Sequence, residues 1–194
     1  MKTYPFSALL SRMKYITRWS LMRSTRAESL SEHTADTALL AHTLCLIGQK
    51  CTATGKSLRP EVVATAALYH DAPEILTGDL PTPVKYKNDA LRTAYKAVEH
   101  EGARVMASLQ PAELQAETQA WLTGSLLNDA ERKIVKAADR LSALIKCMEE
   151  RQSGSHEFEA AEAQQLAALP DDDARHLPEE AAIEREEVRA LLSA

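Results

Sequence analysis

The chain has 194 residues, 45% of them hydrophobic, and a formal net charge of −5 at pH 7. This is enough apolar material for the core of one domain, and the negative charge argues against a surface that coats nucleic acid, so no nucleic-acid polymer is expected as a partner. The chain has 32 alanines, and alanine is the best helix former. It has only 6 glycines and 8 prolines, the residues that tight β-turns use. The composition therefore predicts an all-α fold.

The N-terminal residues contain no sustained apolar run and no small-residue cleavage site, which argues against a secretory signal. No segment approaches about 18 uncharged apolar residues, so no membrane span is expected. Cys45, Cys51 and Cys147 show no paired spacing and are interpreted as small buried residues in a reducing compartment. These features together predict a cytoplasmic protein.

The first two long helices have clear start and stop signals. Ser29 and Glu32 fit a capping box, which predicts a helix that ends near Lys50. Pro60 is well suited to the first turn of a second helix, and Pro73 is expected to bend or end that helix. Residues 77–83 form the one strongly turn-forming loop of the chain.

Hydrophobic periodicity predicts further helices at about 89–109, 111–127 and 129–152. The helix at 89–109 is expected to bury one stripe, made of Leu91, Tyr95, Val98, Val105 and Leu109. We expect a single domain over residues 1–194, with its motifs in residues 5–150. The remaining segment, 157–194, is predicted to be a C-terminal extension of two short charged helices, broken at 170–173.

Two histidines lie on the core-facing stripes of neighbouring helices. These are His33 and His70, and Asp71 directly follows the second. A buried carboxylate is costly unless it is paired or bound to a metal. Asp139, flanked by apolar neighbours near the middle of a later helix, is a second inward carboxylate. Imidazole and carboxylate together suit a divalent ion such as Mn²⁺, Co²⁺, Zn²⁺ or Fe²⁺, so these four residues form a candidate metal site.

Simpler interpretations of the same residues remain open at this point. The two histidines could be hydrogen-bonded core side chains, and Asp139 could form a surface salt bridge with Lys136 or Arg140. His42 lies roughly 180° around its helix from His33, so the two cannot share a ligand. The other histidines lie in charged surroundings and are interpreted as solvated: His100, His156 and His176.

Short motifs surround the candidate ligands: Arg-Trp at 18–19, Ser-Glu-His at 31–33, His-Asp-Ala-Pro-Glu at 70–74, TGDLPTPVKY at 77–86 and Lys-Ala-Ala-Asp at 136–139. In this order the motifs resemble the 5′-deoxyribonucleotidase branch of the HD-domain phosphohydrolases. The resemblance implies a single all-α HD-domain helical bundle and one divalent metal cation, Co²⁺, Mn²⁺ or similar. It implies an enzyme that releases phosphate from deoxyribonucleoside 5′-monophosphates, and a homodimer.

The resemblance also implies a role for each matched residue. His33, His70, Asp71 and Asp139 would hold the metal. The catalytic residues would be Glu74, which acts on the attacking water, with Asp71 and Arg18. Arg18 would orient the phosphate, and Trp19 would discriminate the sugar. The implied substrate-binding set is Arg18, Trp19, His33, Asp71, Asp79, Leu80, Pro81 and Thr82.

Two other functions remain open on the sequence. The first is an HD phosphohydrolase that acts on a nucleoside triphosphate or a cyclic dinucleotide, although few basic residues lie near the motifs. The second is a non-catalytic HD binding module, although such a module would be expected to lack some of the ligands. Without the resemblance, Trp19 is an ordinary core tryptophan, Asp79 a turn residue and Glu74 a solvated carboxylate.

Overall fold

The computed structural model describes residues 5–51, 55–85 and 87–168. These ranges contain helices and one isolated β-bridge, between Thr17 and Ser29, which confirms the predicted all-α fold. Two short 3₁₀ helices, Ser11–Tyr15 and Gly55–Ser57, accompany the α-helices. The α-helices are α1 (Phe6–Leu10), α2 (Leu30–Cys51), α3 (Pro60–Tyr69), α4 (Glu74–Thr77), α5 (Thr82–Lys85), α6 (Asp89–Ala107), α7 (Ala112–Thr123), α8 (Asp129–Gln152) and α9 (Glu159–Ala168).

The main core lies where α2, α3 and α8 pack against one another. Leu44, Val63, Leu141 and Leu144 are all buried there, together with several alanines that let the helices approach closely. Truncating such a buried leucine to alanine typically costs about 2–5 kcal/mol. A second cluster, which includes Phe6 and Met106, joins α1 and α6 to the turn that follows α3. Two of the core helices, α2 and α8, carry candidate metal ligands, and the turn that directly follows α3 carries the other two.

The predicted capping box at the start of α2 is present. The backbone N–H of Glu32 donates to Ser29 Oγ at 3.3 Å, and the backbone N–H of Ser29 donates to Glu32 Oε2 at 2.8 Å. This exchange satisfies two donors that a helix start leaves open. It fixes the first turn of α2, in which His33 lies.

Three local predictions were wrong. α7 ends at Thr123 rather than near 127, because Gly124 adopts a left-handed conformation with φ of 62°. In α6, Val98 and Val105 are exposed, and the buried face instead carries Gly102, Ala103, Met106 and Ala107. Cys51 is also exposed, unlike Cys45 and Cys147.

The C-terminal segment is described only in part. Its first helix is α9, preceded by the fully buried Phe158, whereas the predicted break at 170–173 and the second helix lie outside the described residues. His156 is exposed, as expected of a solvated side chain. Among the helices that the structure describes, none combines the length and the apolar character that crossing a bilayer requires.

Candidate active site

The four candidate metal ligands meet at one point between the core helices. His33 is fully buried in the first turn of α2, His70 follows the last residue of α3, Asp71 lies in the turn after it, and Asp139 is in the middle of α8. One ligand atom from each residue lies within 4.8 Å of all the others. His33 Nε2 is 3.0 Å from Asp139 Oδ1 and 3.6 Å from Asp71 Oδ2. Tertiary packing thus assembles two imidazoles and two carboxylates from α2, α8 and the turn after α3.

The histidine rings are held with Nε2 facing the cluster. His70 Nδ1 donates to the carbonyl of Ala67 at 2.7 Å, and its buried Nε2 has no hydrogen-bond partner. His33 Nδ1 lies 3.1 Å from the hydroxyl of Ser142. Such partners fix the ring orientation and leave the other nitrogen free for a metal. The orphaned Nε2 of His70, next to two carboxylates, is what a divalent cation would satisfy.

The electrostatics of the cluster also suit a cation. Burial would raise the pKa of Asp139, but the hydrogen bond with His33 and the nearby positive charge of His70 outweigh burial and hold this pKa well below its ordinary value. Burial would lower the pKa of His70, but Asp71 and Asp139 outweigh it and raise this pKa well above its ordinary value. The two carboxylates therefore keep their negative charge and attract a proton or a metal ion.

Arg18 lies beside the cluster, immediately after Thr17 of the isolated β-bridge. Its backbone N–H donates to the carbonyl of Glu28 at 3.0 Å, and its guanidinium Nη1 is 3.4 Å from Asp71 Oδ2 and 3.9 Å from Asp79 Oδ1. Burial would lower the pKa of Arg18, but the surrounding carboxylates, Asp71 first among them, raise it above its ordinary value. The guanidinium is therefore a permanent positive charge at the edge of the metal ligands.

Trp19 has an unusual backbone conformation, with a φ of 59°. For a bulky side chain this left-handed region costs on the order of 1–3 kcal/mol, so neighbouring contacts must compensate. The indole Nε1 donates to Glu28 Oε2 at 2.7 Å, and the ring packs on Phe158 with 5.3 Å between centroids. The strained backbone is thus matched by two contacts that hold the ring.

A second buried carboxylate anchors the loop between Trp19 and Glu28. Glu150 of α8 accepts the backbone N–H of Thr25 at 2.7 Å and that of Arg26 at 3.2 Å, and it forms a short ion pair with Lys146. Burial would raise the pKa of Glu150, but the hydrogen bonds from Lys146 and the loop backbone outweigh burial and lower this pKa to about 2. This loop is therefore attached to the core of the molecule.

Glu74 begins α4, because the chain leaves α3 at Tyr69 and makes a tight turn through Pro73. The helix therefore does not continue through Pro73, yet Glu74 lines the same cavity as Asp71. Its Oε1 is 3.5 Å from Lys85 Nζ, and its buried Oε2 has no partner. Burial, followed by the negative charge of Asp71, raises the pKa of Glu74 to about 8.

A cavity of about 510 Å³ opens beside the metal ligands. The loop after α4 lines it with Asp79, Leu80 and Pro81, α5 lines it with Thr82, and side chains of α8 and α9 line it as well. Among the described residues around the cavity, the charged side chains balance when all are ionised: four are cationic, namely Arg18, Lys85, Lys136 and Arg140, and four are acidic, namely Asp71, Glu74, Asp79 and Asp139. A bound divalent cation would give the cavity a net charge of about +2, which matches a phosphate monoester dianion.

The sequence has clear relatives among proteins of known family. Residues 5–180 match the family described as 5′-deoxynucleotidase YfbR-like. The chain belongs to this family. It is 44% identical over 161 residues to a 5′-deoxynucleotidase of Vibrio parahaemolyticus, a match that covers 83% of this chain and 82% of the relative. It is 43% identical over 169 residues to the 5′-deoxynucleotidase YfbR of Escherichia coli, covering 87% and 84% of the two chains.

Solved structures resemble this family member in fold. An HD-domain phosphohydrolase from Listeria innocua superimposes with a TM-score of 0.81 at 23% identity, over 97% of this chain and 89% of the other. A cyanophage S-2L HD phosphohydrolase bound to dA and one catalytic Zn²⁺ ion superimposes with a TM-score of 0.64 at 19% identity, over 97% of both chains. The comparisons confirm the predicted family, fold and enzyme class, a 5′-deoxynucleotidase.

In this 5′-deoxynucleotidase, most of the predicted substrate-binding residues line the cavity. His33 does not line it: the ring is fully buried and lies close to Asp71 and Asp139 only through Nε2. The sequence analysis missed the remaining surroundings of the site. It assigned no role to Glu28 or Ser142, to the cavity-facing side of α8 at Lys136 and Arg140, or to Gln164 and Gln165 of α9. No periodicity singles these residues out, and of them only Lys136 lies within a motif, Lys-Ala-Ala-Asp at 136–139.

Proposed function

We propose that the enzyme hydrolyses deoxyribonucleoside 5′-monophosphates to deoxyribonucleosides and phosphate with one divalent cation held by His33, His70, Asp71 and Asp139. The observation that carries this proposal is that the cluster of metal ligands adjoins a cavity. The ligand cluster contains a buried, unpartnered His70 Nε2, and it opens onto a cavity whose own charges cancel. When bound, the cation would neutralise phosphate charge and lower the pKa of a water molecule toward neutrality.

Arg18 is proposed to bind the phosphate. Its Nη1 lies between Asp71 and Asp79, at the border between the metal ligands and the nucleoside-facing loop. A guanidinium can donate two parallel hydrogen bonds to two phosphate oxygens, which fixes the orientation of the group as well as its position. The phosphorus would thereby be presented to the attacking water on the side of the metal ligands.

Glu74 is proposed to orient the attacking water and accept its proton. Its unpartnered Oε2 is buried in the part of the cavity that also carries Asp71, so this oxygen is placed to accept a hydrogen bond from a water molecule next to the metal ligands. Lys85, which also pairs with Glu99 at 2.6 Å, holds Oε1 from the other side. Oε2 is therefore the oxygen left for a water molecule.

The nucleoside is proposed to occupy the cavity between Trp19 and the loop that carries Asp79, Leu80, Pro81 and Thr82. A rigid indole beside the sugar would clash with a 2′-hydroxyl, so ribose would be rejected and deoxyribose accepted. Asp79 could accept a hydrogen bond from the 3′-hydroxyl. Both side chains line the same cavity as Arg18, so a nucleotide whose phosphate is bound by Arg18 would have its sugar within reach of them.

The setting of the enzyme is proposed as follows. Mn²⁺ or Co²⁺ is expected to support the reaction, because imidazole and carboxylate ligands suit these borderline ions, as they suit Zn²⁺. A cytoplasmic location is supported by the three free cysteines. A homodimer is proposed from the family resemblance and is tested by light scattering coupled to gel filtration.

The test is a panel of 5′-mono-, di- and triphosphates, ribo and deoxy, crossed with Mn²⁺, Co²⁺, Mg²⁺ and Zn²⁺. Phosphate and pyrophosphate release are measured separately, with chelator-treated enzyme as the control. We expect metal-dependent phosphate release from dAMP, with little from AMP. Absence of release from every deoxyribonucleoside monophosphate refutes the proposal, and pyrophosphate from a triphosphate would favour the other HD activity.

A further inference from the structure

Glu28 is a buried carboxylate to which neither the motifs nor the proposed reaction assigns a role. Only 9% of its surface is exposed, and it lies at the end of the loop that starts at Trp19. Its carboxylate contacts both Trp19, the residue proposed to face the sugar, and Arg18, the residue proposed to bind the phosphate. Oε2 accepts the indole N–H of Trp19 at 2.7 Å and is 3.4 Å from Arg18 Nε. Oε1 lies 3.8 Å from His33 Nδ1.

The backbone around Glu28 is as constrained as its side chain. Its carbonyl accepts the N–H of Arg18, and the next residue, Ser29, caps α2 and closes the β-bridge with Thr17. The carboxylate therefore starts from a fixed point in the scaffold. Trp19, in contrast, has a left-handed backbone that favours no bulky side chain. Two contacts hold the indole ring in this position: it packs on Phe158, and its N–H donates to Glu28, which is its polar contact.

We propose that Glu28 is a positioning residue for deoxyribose selection: its carboxylate fixes the Trp19 indole at the sugar end of the cavity and holds Arg18 beside it. The inference rests on the proposed function, since it assumes that Trp19 faces the sugar. A clash discriminates between substrates only if the clashing group cannot move aside. Ribose rejection therefore depends on the hydrogen bond behind the ring as well as on the ring itself.

Three variants separate this role from general support of the loop. Glu28→Ala removes the acceptor, whereas Glu28→Gln keeps an oxygen that can accept the indole N–H. Glu150→Gln is the matched control, because Glu150 is also a buried carboxylate of this region but contacts the loop at Thr25 and Arg26, away from the cavity. The measured quantity is the ratio of kcat/KM for dAMP to that for AMP.

We expect Glu28→Ala to lower this ratio by about tenfold to a hundredfold, the range for loss of one hydrogen bond to a charged group. Glu28→Gln should stay within about threefold of the wild type, because its amide oxygen restores the hydrogen bond. Glu150→Gln should leave the ratio unchanged. An unchanged ratio in Glu28→Ala, an equal loss in Glu28→Gln, or an equal loss in Glu150→Gln would overturn the proposal.

A second measurement does not depend on activity. The chain has two tryptophans, so a Trp121→Phe background makes Trp19 the reporter. We expect Glu28→Ala to increase acrylamide quenching of Trp19 fluorescence, and Glu150→Gln to leave it near the starting value. If acrylamide quenched Trp19 fluorescence equally in all variants, the proposal that Glu28 fixes the Trp19 ring would be refuted. If the unmodified enzyme released no phosphate from any deoxyribonucleoside monophosphate, the proposed function would fail, and quenching alone would decide whether Glu28 holds Trp19.

Discussion

Removal of one metal ligand is expected to abolish a stabilisation that the metal otherwise provides. The change is Asp71→Asn, which keeps the size of the side chain and removes its charge. Asp71 Oδ2 is 3.2 Å from His70 Nε2 and 3.6 Å from His33 Nε2, so it places a negative charge next to both histidine ligands. Loss of its charge should therefore weaken binding of a divalent cation more than any change outside the cluster.

The size of the effect follows from binding linkage. A ligand at 100 times its dissociation constant stabilises the folded state by ~2.7 kcal/mol. For a chain of this length, 1 kcal/mol shifts Tm by about 2–4 °C, so the wild type should gain about 5–11 °C. Loss of an outer-shell partner alone weakens binding by about 10–100-fold, so loss of a direct ligand should cost at least about 100-fold. The same metal concentration then stabilises Asp71→Asn by only ~0.4 kcal/mol, or roughly 1 °C.

The assay is a thermal melt of each protein with excess chelator and with Mn²⁺, and the quantity compared is the difference between the two Tm values. This difference removes any effect of the substitution on the metal-free protein. Asp89→Asn is the control, because the Asp89 side chain is 90% exposed and far from the ligands in sequence. A full Mn²⁺ shift in Asp71→Asn, or a lost shift in Asp89→Asn, would refute the assignment of the metal ligands.

Three further outcomes test individual residues. Glu74→Gln should lower kcat for dAMP by about 10²–10⁴-fold and keep the Mn²⁺-dependent shift in Tm; an undiminished kcat excludes Glu74 as the base. Trp19→Ala should narrow the preference for dAMP over AMP by about tenfold or more, and an unchanged ratio of kcat/KM values removes Trp19 from sugar selection. Glu150, with a pKa lowered from 4.5 to about 2, should stabilise the fold fully above about pH 4.5 and progressively less as the pH falls toward 2. In urea unfolding, the free-energy difference between the wild type and Glu150→Gln should therefore shrink over that range, and a constant difference would contradict the lowered pKa.

Local signals in the sequence predicted the helices well where a specific residue type determines their ends. The capping box at Ser29 and the proline at position 60 mark helix starts that the structure reproduces. The end of α7 was placed too late because the left-handed Gly124 was not recognised as a stop signal. In α6, Val98 and Val105 fit a helical period, but the neighbouring helices bury the adjacent face, which carries Gly102, Ala103, Met106 and Ala107. Packing overrides hydrophobicity when close approach favours alanine and glycine.

The sequence by itself determined the fold class and the chemistry of the metal ligands. Composition sets helix preference, and a histidine or carboxylate on an apolar stripe must find a partner inside the protein. Only the tertiary structure decided that α2, α3 and α8 bring His33, His70 and Asp139 within bonding reach of one ion. Likewise, only the fold brings Glu28 into contact with Trp19 and α9 to the cavity. Such contacts join residues that are far apart in the chain or lie on irregular backbone. Hydrophobic periodicity does not predict contacts of either kind.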